Sequence, residues 1–149
     1  MTATAPAQRS PDPSAPSPVR AAAAKAPTIV HLFREQARSR AQAPALRHHD
    51  GASWQAITWR AYERAVAEIA VGLRAWGLDP GDRVGLLSGN RAEWHLADLG
   101  TLAAGMVTTP VYATSSSSQV AHVLTDAGVR LCFVEDGDQL AKLLVRRDE

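Results

Sequence analysis

Cysteine, runs of like charge and long apolar stretches are scarce in this sequence, and each scarcity closes off a class of protein. The single cysteine, Cys132, has no internal disulfide partner. Its setting, Leu131-Cys132-Phe133-Val134, fits a reduced, buried thiol in a cytoplasmic protein. No uninterrupted apolar run approaches the roughly eighteen residues of a spanning helix, so no transmembrane segment is expected. The net charge is +1 and no long basic run occurs, which argues against nucleic acid and gives no charge support for an anionic membrane surface. Peripheral membrane association is left open. No Gly-x-Gly-x-x-Gly turn is present to hold a dinucleotide.

Proline is concentrated rather than scarce. Six of the nine prolines fall within residues 1–27, among Ala, Ser and Thr with almost no bulky apolar side chain. Such a segment buries too little surface to offset its ordering entropy, so residues 1–27 read as a disordered tail. The same prolines interrupt both the apolar block of a secretory signal and the amphipathic helix of a transit peptide.

From Thr28 onward regular patterns take over, and residues 28–149 read as one domain. Thr28 suits the N-cap of a helix to about Arg40, with Ile29, Leu32, Phe33, Gln36 and Ala37 on one side. Two strand-like pieces, 45–48 and 54–57, flank Asp50-Gly51 and predict a hairpin. Thr58 then caps the clearest helix, in which Tyr62, Val66, Ile69, Leu73 and Trp76 recur at spacings of four, three, four and three. Gly77 closes it as the residue after the C-cap. The turn Asp79-Pro80-Gly81-Asp82 leads into an apolar strand, 83–87.

Asn90 with Glu93, and Ser116 with Gln119, have capping-box spacing ahead of two further helices. The first of these, ending near Ala104, is apolar on several sides through Trp94, Leu96, Leu99 and Leu102, which predicts burial on several sides. Strands 106–111 and 130–134 and a final helix from Asp138 complete the alternation. Short strands alternating with helices imply an α/β fold, a mostly parallel sheet flanked by helices, here preceded by a tail and a small hairpin. The last helix meets no Gly or Pro before Glu149, which reads as a chain cut short.

Three segments carry a resemblance. They are Ile57-Thr58-Trp59 with Gly77 to Leu86; Asn90-Arg91-Ala92-Glu93-Trp94 with Asp98-Leu99; and Pro110-Val111-Tyr112-Ala113-Thr114-Ser115, Gln119 and Leu124 to Gly128. In this order and spacing, over roughly 28–144, they resemble the start of AMP-forming acyl-CoA synthetases of the adenylate-forming superfamily. The Tyr-x-Thr-Ser pattern is similar to that of the long-chain fatty acid branch. The resemblance implies a parent enzyme using ATP, Mg2+, a fatty acid and coenzyme A, which makes an acyl-adenylate and then a thioester. It also implies a loop written Thr-Ser-Gly-Thr-Thr-Gly-x-Pro-Lys-Gly, an adenine-side Tyr-Gly-x-Thr-Glu segment, a ribose-binding aspartate and a late lysine. None of these occurs in this sequence. The expectation is therefore a scaffold with no catalytic, cofactor-binding or metal-binding residue of its own, inactive alone.

The tempting residues have plainer readings. Thr114 to Ser118 offers hydroxyls but no Gly or Lys, and suits helix capping better than phosphate. His48 and His49 point to opposite sides of a strand, and His95 with Asp98 offers two groups where a metal needs three or four. His31 and His122 offer nothing more specific. Cys132 in an apolar strand is a core residue rather than a nucleophile. Trp54, Trp59, Trp76 and Trp94 read mostly as core, and Asp98 as a partly exposed or hydrogen-bonded acid. Two other readings stay open: a freestanding α/β module that binds a partner, and an adenylating enzyme that loads a carrier protein. A sheet lacking later strands would show a raw edge and an uncovered apolar face, making the isolated chain prone to aggregate.

Overall fold

The computed structural model describes residues 27–49 and 51–145. The tail up to Ala26, Asp50 of the hairpin turn and the last four residues lie outside them. Helix α1 (Ile29–Ser39) opens at Thr28, whose hydroxyl accepts from the His31 amide at 3.2 Å. Strands β1 (Pro44–His49) and β2 (Trp54–Thr58) pair antiparallel as a separate hairpin, with Gly51 at positive φ in its turn. Helix α2 (Trp59–Ala75) is capped by Thr58 and ends before Gly77, whose φ of 82° only glycine adopts without strain.

Strand β3 (Arg83–Leu87), helix α3 (Ala92–Ala103), β4 (Val107–Val111), α4 (Ser117–Asp126), β5 (Val129–Val134) and α5 (Gly137–Leu144) follow. The three strands form one parallel sheet in the order β4-β3-β5, with β3 in the middle. Its central position explains its composition, since Val84 to Leu87 are all buried while β5 is only half-buried.

Helices cover both faces. On one, Val84, Leu131 and Phe133 pack with Ile69 and Leu73 of α2 and with Leu78 and Met106. On the other, Leu87, Val111, Cys132 and Val134 pack with Val120, Val123 and Leu124 of α4 and Leu143 of α5. A third cluster, Phe33, Tyr62 and Val66, ties α1 and the hairpin to α2 and α3. Burying one such large apolar side chain contributes roughly 1.5–3 kcal/mol, so these clusters dominate the fold's stability.

A glycine sits where α2 and α3 pack together. A Cβ at Gly100 on α3 would lie 2.4 Å from Ile69 Cγ2 on α2, so only hydrogen fits. The buried residues of α3 are accordingly small: Ala92, Ala97, Gly100 and Thr101. Trp94, Leu96, Leu99 and Leu102 are half-buried around it, so the all-round apolar pattern marks several partial contacts rather than full enclosure.

Several expectations are corrected. Asn90 is not the N-cap of α3; Arg91 is, with no side-chain cap bond. Glu93 reaches Arg91 Nε at 2.7 Å instead of closing a box. Trp76 is 80% exposed and Trp54 72% exposed, because α2 runs past the sheet at Trp76 and the hairpin's outer side is uncovered. Cys132 is half-buried, since β5 is an edge strand. The predicted face of α1 narrows to Phe33 and Ala37, leaving Ile29 and Leu32 exposed.

Candidate functional site

In a parallel sheet wound on both faces, ligands collect beyond the carboxyl ends of the strands. Two clefts lie there, one on either side of β3. Between β3 and β5, where connections leave toward opposite faces, the cleft is small, about 200 Å³, and polar groups on its wall pair with one another. Glu135, just after β5, accepts the Gly89 amide at 2.7 Å, and Arg91 reaches its other oxygen at 3.4 Å. Arg91 also holds Glu93, whose carboxyl is kept below its usual range first by that hydrogen bond. An amide and a guanidinium that could meet an anion are thus already occupied by carboxylates.

Between β3 and β4 the cleft is open. It encloses about 680 Å³, lined by Ser88, Gly89, Asn90, Trp94, His95 and the segment Pro110 to Thr114. Helix α3 supplies Trp94 and His95 from its first turns, and the two rings meet edge-on at 5.4 Å. Tyr112 projects from the end of β4 at 83% exposure. Lys142 of α5 donates to the Ala113 carbonyl, which ties the far wall to the last helix. No Asp, Glu, Lys or Arg lines this cleft, so it suits an apolar or flat group and provides no charge to neutralise phosphate.

The remaining expected residues are placed as follows. Ser116 closes a complete capping box with Gln119, its hydroxyl accepting from the Gln119 amide while its own amide donates to the Gln119 side chain. The hydroxyl-rich loop therefore caps α4, as its sequence suggests. His48 is half-buried and His49 exposed on opposite sides of β1; His49 accepts from the Gly51 amide. Asp98 is half-buried beside Tyr62. The Tyr62 hydroxyl donates to the His95 carbonyl at 3.1 Å, and burial, then Asp98, push its pKa up to about 12. Burial pushes the Cys132 thiol up to about 11, which leaves it a poor nucleophile. Among the described residues no group of three or more His, Cys, Asp or Glu is placed to hold a metal.

Sequence reasoning missed three features of this end of the sheet. Glu135 sits after a strand in what reads as an ordinary turn, and its partner Gly89 is 46 positions away. From sequence, His95 reads only with Asp98 as a candidate metal pair, and Tyr112 only as part of the Tyr-x-Thr-Ser pattern; their place on one cleft follows from β3 and β4 coming together. The fold rule placing ligands at strand carboxyl ends is the signal that could have joined them into one site.

The geometry defines a doubly wound α/β domain with a small antiparallel hairpin and an open cleft at the carboxyl edge of its parallel sheet. The family is shown directly: the model of the AMP-binding enzymes matches residues 33–149, and the chain belongs to that family. It is 34% identical over 117 residues to the human long-chain-fatty-acid–CoA ligase ACSBG2, covering 78% of this chain and 18% of that protein. Against the long-chain-fatty-acid–CoA ligase FadD15 of Mycobacterium tuberculosis it is 39% identical over 82 residues, covering 55% of this chain and 14% of the relative. Among solved structures, a fatty acyl-adenylate ligase from L. pneumophila superimposes with a TM-score of 0.71 at 22% identity, covering 80% of this chain and 22% of that one. The chain therefore spans under a fifth of the length of these two curated relatives.

Proposed function

We propose that this chain is the N-terminal portion of an ATP-dependent long-chain fatty acid–CoA ligase, and that by itself it is a scaffold without activity. The family's use of ATP, Mg2+ and coenzyme A belongs to the whole enzyme. In that reaction a fatty-acid carboxylate oxygen attacks the α-phosphorus of ATP and pyrophosphate leaves. The coenzyme A thiolate then attacks the acyl carbonyl and AMP leaves. A carboxylate is a poor electrophile, and adenylation supplies the leaving group it lacks.

The residues present do not fit ATP or Mg2+. The open cleft carries no charged side chain, and the amide and guanidinium across β3 are taken by Glu135. The observation that carries the reading is the ordered set of three segments from Ile57 to Gly128, together with a family match that runs through them. No catalytic, cofactor-binding or metal-binding role is assigned to any residue here.

Reading the coding DNA past the codon for Glu149 tests this. A Ser/Thr/Gly-rich loop with a following lysine, in frame or after one frameshift, is the expected finding. A stop with no such loop downstream would remove the ligase reading and favour a freestanding binding module.

A further inference from the structure

Helices α1 and α2 lie side by side, and their outer surfaces do not close on each other. A groove of about 370 Å³ opens between them and shares no residue with either cleft at the carboxyl end of the sheet. Its floor is apolar, made by Phe33 of α1, Val66, Ala67 and Ala70 of α2, and Ala103 at the end of α3. Along α2, residues 60, 63, 67 and 70 recur at intervals of three, four and three, so they share one side of the helix. That side carries charge at its start and alanine further on, and Arg34 faces it from α1.

Three arginines and one glutamate, Glu63, line the groove, a local excess of positive charge in a chain whose net charge is +1. Arg64 is steadied by Glu68, which accepts from its Nε at 2.7 Å. Arg34 and Arg60 have no hydrogen-bond or ion-pair partner for their guanidiniums among the described residues, whereas Arg74 and Arg130, also exposed, each hold an aspartate. The first amides of α2 are already bonded, to the Ala43 and Ala41 carbonyls and the Thr58 hydroxyl. An anion in this groove would therefore meet guanidinium and not a helix end.

An apolar floor beneath free guanidiniums matches a ligand of two parts. A guanidinium fork meets carboxylate or phosphate oxygens in pairs. The floor gains only when hydrocarbon displaces water from it. A bare anion leaves the floor wet, and a neutral apolar molecule leaves the guanidiniums unmatched. The volume, roughly a dozen waters at ~30 Å³ each, has room for both parts.

We propose that the groove between α1 and α2 is a binding site for a single-chain anionic amphiphile, a hydrocarbon chain ending in a carboxylate or a phosphate. The chain lies over Ala67 and Ala70, and the head meets Arg34 and Arg60. The site is separate from the open cleft beside Tyr112, and it stands whether or not the chain is part of a ligase.

The test titrates the full 149-residue chain with dodecanoate and with dodecyl phosphate, each below its micelle concentration, followed by NMR. The Ala67 and Ala70 methyl groups and the Nε–H groups of Arg34 and Arg60 report the groove, while the Trp94 indole and the Tyr112 amide report the open cleft. The expected result is saturable one-to-one binding that moves the groove resonances, with dodecanol and inorganic phosphate each at least tenfold weaker. The tighter of the two amphiphiles identifies the head. Arg34→Gln combined with Arg60→Gln should weaken binding at least tenfold with an unchanged circular dichroism spectrum. Ala67→Glu, at an exposed helical position, should do the same by setting a carboxylate in the floor. Arg47→Gln, at an exposed arginine of β1 outside the groove, should bind as the parent chain does.

No shift with either amphiphile, shifts confined to Trp94 and Tyr112, or undiminished binding by the double arginine variant would overturn the proposal. Equal weakening by Arg47→Gln would reduce the effect to net charge and overturn it too. Inorganic phosphate binding as tightly as the amphiphiles would make this a plain anion site, and association with anionic vesicles alone would make it a membrane contact; either result contradicts the proposal.

Discussion

The two edges of one three-stranded sheet differ in what stands beside them. At β4, Pro110 removes an outward donor and Tyr112 begins the open cleft, so pairing stops and a ligand-sized space starts. At β5 no proline interrupts the strand, and an apolar groove with Trp76 at its rim lies beside it.

The contrast between enclosed centre and open edge predicts the largest difference in stability. Leu87 is fully enclosed, and Leu87→Ala should cost about 2–5 kcal/mol in urea unfolding. Trp76→Ala should stay within about 0.5 kcal/mol in the chain alone despite removing the larger side chain. Similar costs at both positions would mean that Trp76 is covered in solution.

The covered face has its own test. Gly100→Ala adds a methyl group where Ile69 already sits, and the overpacking should cost about 1–3 kcal/mol. Helix propensity alone would favour alanine by about 1 kcal/mol, so a stabilised variant would show that α2 and α3 are not this close. Thermal melts of the two proteins separate these outcomes.

Helix starts predict a smaller contrast. Ser116→Ala removes a complete capping box and should cost about 1 kcal/mol. Asn90→Ala, at the position the sequence pattern wrongly favours, should cost less than about 0.5 kcal/mol.

The smallest expected effect concerns pH. Asp82 is held below its usual pKa first by the Asp79 amide, with Arg130 of β5 also contributing at 2.7 Å. A carboxyl with a lowered folded pKa adds stability above its unfolded value, which is lost as pH falls through the folded value. Acid titration of the melting temperature should therefore drop below about pH 4, and Asp82→Asn should flatten part of that drop.

Much of the fold was legible because local signals agreed with tertiary demands. Thr28, Thr58 and Ser116 cap where their spacing says, since a cap bond spans three residues and needs nothing distant. The parallel sheet followed from alternating elements, and β3 from its unbroken apolar run. Failures came where distance decided. Asn90-x-x-Glu93 has the pattern of a box, but Arg91 competes for the same carboxylate and the helix starts one residue later. Trp76 continues the helical face of Leu73, yet that face outlasts the sheet it packs on. At the candidate site, the Glu135–Gly89 bond and the Trp94–Tyr112 cleft join residues brought together only by strand order, which no local pattern encodes.

The central claim is that this chain is a ligase scaffold lacking the machinery for adenylation. Pyrophosphate exchange into ATP, measured with the purified chain, Mg2+ and a long-chain fatty acid, tests it most directly. The account predicts no fatty-acid-dependent exchange above the rate without protein. Sustained exchange that disappears with Tyr112→Ala or His95→Ala would show that the cleft does chemistry by itself, and would contradict it.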